Sequence, residues 1–95
     1  MLNIVIAAKA RFPLGQLAMT SGARDTFTPE QSAEAIQRHS GGDWGDICQA
    51  DAKENELSLK KGYRLMSVYT FGEDKLWLIT EADRSVTTAL LPDEY

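Results

Sequence analysis

The chain has 95 residues, 43% apolar and 25% charged, which are ordinary values for a globular protein and unlike those of disordered or fibrous chains. That length suits one domain burying roughly 60 to 70% of its unfolded surface, and it is too short for two stable cores. Fourteen acidic against ten basic side chains give a net charge of −4, which disfavours direct DNA or RNA binding, because phosphate-tracking surfaces gather Lys and Arg, and favours a basic surface on another protein.

The opening stretch MLNIVIAAKARFPLG has a short apolar run before Lys9 and no basic leader, so it reads as neither a secretion signal nor a membrane span. Residues 1–11, with Ile4, Val5 and Ile6, are read as an edge strand or a mobile tail. Pro13 biases Phe12 toward extended backbone, and Leu14 to Thr20 alternates well enough for a strand. Ser21 can cap one helical turn after it, while Gly22, Arg24 and Asp25 argue against anything longer. Thr28 at the N-cap, Pro29 at the first helical position, Glu30 at the positive end and Gln31 completing a capping box predict a helix from Pro29 to about His39, ended by Gly41 and Gly42. Ala33, Ala35 and Ile36 give it a narrow apolar stripe. Asp51 and Glu54 have the spacing of a second box, Lys60 and Lys61 suit a helix C-terminus, and Gly62 suits a left-handed cap. A second helix is therefore expected from about Ala52 to Lys61.

From Arg64 the apolar period changes to two, with strands at Arg64–Phe71, Leu76–Ala82 and Ser85–Leu91 and a turn at Gly72–Lys75. With Asp83 and Arg84 as turn residues, Thr80 lies opposite Thr87, Leu78 opposite Ala89 and Trp77 opposite Leu90. The expected fold is a small single α+β domain: a C-terminal three-stranded antiparallel meander plus an N-terminal strand, with two short helices packed on one face. Leu65, Val68, Trp77, Ile79, Val86 and Leu90 are its candidate core.

The chemistry-bearing residues are sparse. Cys48 is the lone cysteine, which excludes an internal disulfide and a cysteine-based zinc site and fits a reducing, cytoplasmic setting. His39, Asp43 and Asp46 are possible metal ligands by type, but the glycines between them fix no geometry and no fourth ligand is evident. Ser40 and His39 do not face each other as a nucleophile and base would. No catalytic, cofactor-binding or metal-binding residue is assigned, and no cofactor is expected.

Four stretches carry a resemblance: FPLGQLAMTSGA, RHSGGDWGD, KENELSLKKGYRLMSVY and LWLITEADRSVTTALLPDEY. Together, from Phe12 to Tyr95, the text resembles a family of short uncharacterised bacterial proteins encoded on plasmids, integrative elements and phage-like islands, some labelled plasmid-related or restriction-system proteins. It departs at Thr20-Ser21-Gly22-Ala23, where members usually read Thr-Pro-Gly-Ala. The family supplies no catalytic residues to carry over. What the resemblance implies is a mobile-element setting.

The function expected is therefore a non-catalytic protein-binding accessory factor, of the anti-CRISPR or anti-restriction type, that docks on a host defence complex; a homodimer is compatible with it, and a membrane partner is not expected. The docking residues proposed are Asp43, Trp44 and Asp46 in the glycine-bracketed loop, and Glu81, Asp83 and Arg84 at the hairpin tip. Trp44 reads either as an outward aromatic anchor or as a plug pinning its loop to the core. The alternatives are a small enzyme or enzyme subunit using Asp43, Asp46 and His39, or Glu81 and Asp83, as acid and base, and a regulator acting on DNA.

Overall fold

The computed structural model describes residues 10–95. In chain order these form β1 (Gln16–Met19), α1 (Ser21–Thr26), α2 (Pro29–Ser40), α3 (Gln49–Lys61), β2 (Leu65–Phe71), β3 (Asp74–Thr80), β4 (Val86–Leu90) and a 3₁₀ turn (Pro92–Glu94). One mixed sheet has the order β1-β4-β3-β2. β2, β3 and β4 are the expected antiparallel meander, and β1 adds in parallel beside β4. Of the segment read as an edge strand or tail, residues 1–9 lie outside the described residues. Arg11 is held in place, its N–H donating to the Ser40 carbonyl at 2.7 Å and its guanidinium to Glu56 at 2.9 Å.

The local signals set most boundaries. At α2 the Thr28 hydroxyl accepts from the Gln31 N–H at 3.1 Å while the Gln31 side chain accepts from the Thr28 N–H at 3.0 Å, which is the capping box read from the sequence. α1 runs longer than the single turn expected, and Thr20 rather than Ser21 caps it, accepting from the Ala23 N–H at 3.1 Å. α3 also starts earlier, at Gln49. Gln49 and Ala50 tolerate helix well, so Asp51 sits inside the first turn, where its charge meets the positive helix end, and does not serve as the cap.

Trp77 faces Leu90, Leu78 faces Ala89 and Thr80 faces Thr87, the register expected for the last hairpin. Its turn is wider than Asp83 and Arg84 alone. The Asp83 carboxylate accepts from the N–H and hydroxyl of Ser85, at 3.0 and 2.6 Å, and Arg84 takes a left-handed φ of 62°, so the chain closes through Glu81 N–H to the Val86 carbonyl at 3.0 Å.

The sheet is apolar on both faces. Tyr69, Leu76, Leu78 and Ala89 point to the side covered by α1 and α2, where they meet Ala23, Phe27 and Ala35, while Leu65 packs in a second cluster with Phe12 and Trp44. Val68, Ile79 and Leu90 are buried on the opposite face. The candidate core thus mixed two layers, and Trp77 and Val86 are only half-buried. The C-terminus covers part of that second face: the Tyr95 ring lies 5.5 Å from Trp77, and its hydroxyl accepts from Arg64 at 2.7 Å. Glu94 ties this turn to the start of α1, accepting from the Thr20 hydroxyl at 2.6 Å.

A candidate docking groove beside a sealed sheet edge

β2 is an outer strand, and its alternate backbone groups point away from β3. Left bare, they would be a template for strand addition. Asn55 of α3 occupies the first pair, donating to the Met66 carbonyl at 2.7 Å and accepting from the Met66 N–H at 3.2 Å. The Asp43–Asp46 loop occupies the next positions. Val68 donates to the Trp44 carbonyl at 3.3 Å, Val68 accepts from the Asp46 N–H at 2.7 Å, and the Asp46 carboxylate accepts from the Thr70 N–H at 3.2 Å. This approach needs glycine at position 45, because a Cβ there would stand 2.0 Å from the Val68 carbonyl oxygen and φ is +74°.

The outward-anchor reading of Trp44 is therefore corrected. Trp44 is 6% exposed, packed with Phe12 and Leu65, and its indole N–H donates to Glu56 at 3.0 Å. Burying the indole is what brings the loop backbone within reach of β2. Asp43 is exposed yet committed: its carboxylate takes two bonds from Arg38, at 2.7 and 3.3 Å, and one from the Gly45 N–H at 3.1 Å. The guanidinium beside it holds its carboxyl below the usual range. Its carbonyl accepts from the buried Tyr69 hydroxyl at 2.6 Å, and burial raises that phenol's pKa.

The hairpin tip is tied down in a similar way. Arg84 donates to the Ser58 carbonyl at 3.1 Å and the Tyr63 carbonyl at 2.7 Å, which places its cation at the negative end of α3. Its guanidinium lies 5.8 Å over the Phe12 ring, and Phe12 in turn stacks 6.1 Å from Trp44. The two candidate motifs thus meet inside the protein, through Phe12. Asp83 is fully exposed and held by Ser85, which lowers its carboxyl pKa, and Glu81 lies 3.7 Å from Arg64.

His39 serves the core. It is fully buried, with Nδ1 2.5 Å from the Ser67 hydroxyl and Nε2 2.8 Å from that of Thr80; Thr80 reaches Thr87 at 2.7 Å, and Thr87 donates to the Leu14 carbonyl at 2.7 Å. With a neutral imidazole, one proton arrangement satisfies the whole chain. The carbonyl can only accept, so Thr87 accepts from Thr80, Thr80 accepts from Nε2–H, and Nδ1 accepts from Ser67. Burial, aided by the charge of Arg84, keeps the imidazole neutral and lowers the His39 pKa to about 4. The His39–Ser67 contact has no access for a substrate, and Ser40 instead donates to the Gln37 carbonyl at 3.1 Å. Among the described residues no three His, Cys, Asp or Glu side chains gather as metal ligands would.

The open concavity lies next to the sealed edge. A groove of about 590 Å³ runs between α3 and the second face of the sheet, with Met66, Val68 and Trp77 as its apolar floor. Asp46, Asp51 and Glu54 contribute three carboxylates, while the one cation in the lining, Arg64, is engaged by Tyr95 and Glu81. In the sequence Asp51 and Glu54 signal only a helix start. Their spacing of three, continued to Ser58, was the available sign that they share one face of the helix.

No family model, curated protein or solved structure matches the chain. Among the described residues no helix is long and apolar enough to cross a membrane.

Proposed function

We propose that the protein is a non-catalytic binding factor whose docking site is the groove between α3 and the second sheet face. The observation that carries this reading is the pairing of an apolar floor with three carboxylates and a single, already engaged cation. It suits a basic, amphipathic protein segment. An apolar partner side chain would rest on Met66, Val68 and Trp77 while adjacent Lys or Arg met Asp46, Asp51 and Glu54. Complementary charge would mainly speed the encounter, and the buried apolar contact would mainly set its lifetime.

The partner class follows from charge together with the resemblance to proteins of mobile genetic elements. Host defence complexes of the CRISPR-effector or restriction type hold nucleic acid on Lys- and Arg-rich surfaces. A protein of net charge −4 with an acidic groove competes with phosphate for such a surface, so binding would block the complex without any chemistry. The acid–base alternative draws no support from Asp43, Asp46 and His39: His39 is sealed in the core, Asp43 is paired with Arg38, and Asp46 holds the Thr70 N–H.

The test compares tagged wild-type protein with Asp51→Lys/Glu54→Lys in affinity purifications from the native host, after melting curves show that both are folded. Cys48 is exposed, lines the groove and is the only cysteine, so a bulky maleimide there supplies a second block without mutation. A defence-complex subunit retained by wild type and lost in both altered forms is the expected result. Equal retention in all three would remove the groove from the interface.

A further inference from the structure

The far edge of the sheet is built differently from the one that the Asp43–Asp46 loop seals. β1 joins β4 through Gln16 N–H to the Ser85 carbonyl and Thr20 N–H to the Ala89 carbonyl, both at 3.0 Å. The alternation of a strand therefore turns the N–H and C=O groups of Leu17 and Met19 outward. Among the described residues none of these groups has a partner. Residues 15–20 contain no charged side chain and no proline, the usual devices that blunt an open edge. Leu17 is 56% exposed, and with Met19 and Ile36 of α2 it borders a small apolar pocket on the helix side.

We propose that this edge pairs antiparallel with the same edge of a second copy, about a two-fold axis through Ala18, so that two four-stranded sheets become one of eight strands. The strand is self-complementary in that register. Leu17 exchanges both backbone bonds with Met19 of the second copy, and Met19 does the same with its Leu17, so each outward donor meets an acceptor. Leu-Ala-Met is also symmetric in size: the large side chains pair across the seam on the helix side, and the two Ala18 methyls allow close approach on the other. An unrelated strand would gain nothing from this symmetry. The uncharged seam lets two chains of net charge −4 meet without opposed charges across it. A four-residue strand covers much less than the roughly 1,600 Å² of a standard interface, so the pairing should be weak and concentration-dependent.

The experiment is sedimentation of the full chain over a range of concentrations, with two variants. Wild type should shift from 10.5 kDa toward twice that mass as concentration rises, and Leu17→Lys, at an exposed position, should stay monomeric with an unchanged melting temperature. The second variant is Ala18→Cys in a Cys48→Ser background. Directly opposed residues of a non-hydrogen-bonded pair lie about 4.5 Å apart at Cα, within disulfide reach, so mild oxidation should link two chains through residue 18. A wild type that remains monomeric at every concentration would overturn the proposal. So would a dimer that survives Leu17→Lys and leaves the residue-18 thiols unlinked, because its interface would then lie elsewhere.

Discussion

At the β2 edge, Asn55, Trp44 and Asp46 meet the outward backbone groups of Met66 and Val68 and the N–H of Thr70; at the β1 edge, the same kinds of group on Leu17 and Met19 have no partner among the described residues. The contrast separates conspicuous residues from available ones. Acids and a tryptophan bracketed by glycines look like a binding loop, yet here they close a sheet. Among the described residues the open surfaces are made of plainer material: an uncharged edge strand, and a groove in which two of the three carboxylates, Asp51 and Glu54, stand on one side of a helix.

The contrast can be broken first at Trp44. Truncating a buried indole removes the anchor that holds the loop backbone against Val68, so Trp44→Ala should cost about 3 to 5 kcal/mol in a denaturant titration. A loss under about 1 kcal/mol would mean that the loop is held by its other contacts and that the tryptophan is free for a partner.

A somewhat smaller effect is expected from acid. The His39 chain runs from Ser67 in β2 through Thr80 and Thr87 to the Leu14 carbonyl just before β1, so it ties both sides of the sheet together from beneath. The folded pKa of about 4 lies below the unfolded value of 6.5, so the unfolded chain binds the proton more readily. Stability is then complete above pH 6.5 and declines as pH falls toward 4, by roughly 3 kcal/mol in all. Asp43 and Glu56, whose carboxyls are held low by Arg38 and Arg11, add losses only further down, as pH falls through the carboxylate range. Since His39 is the only histidine, urea midpoints measured between pH 7 and pH 5 isolate it; a flat profile would contradict a neutral buried imidazole.

What the sequence made legible was local. The Thr28–Gln31 box and the Gly62 cap depend on residues a few positions apart, and the pairing of Trp77 with Leu90 on the short turn that joins adjacent strands; each is present. The assignment of faces was not legible, because Leu76-Trp77-Leu78-Ile79 is apolar without a break and both sides of β3 are covered. Trp44 failed as an anchor for a non-local reason. Its burial depends on Phe12, Leu65 and Glu56, which no spacing around position 44 reveals. The docking of β1 beside β4 brings together segments about seventy residues apart in the chain, and period alone cannot choose a neighbour at that range.

Amide hydrogen exchange on dilute protein tests the two-edge account most directly. Met66, Val68 and Thr70 should exchange slowly, with protection near that of the central strand β3, while Leu17 and Met19 exchange quickly. Fast exchange at Met66, Val68 and Thr70, at the rate of Leu17 and Met19, would contradict the claim that the Asp43–Asp46 loop and Asn55 seal that edge.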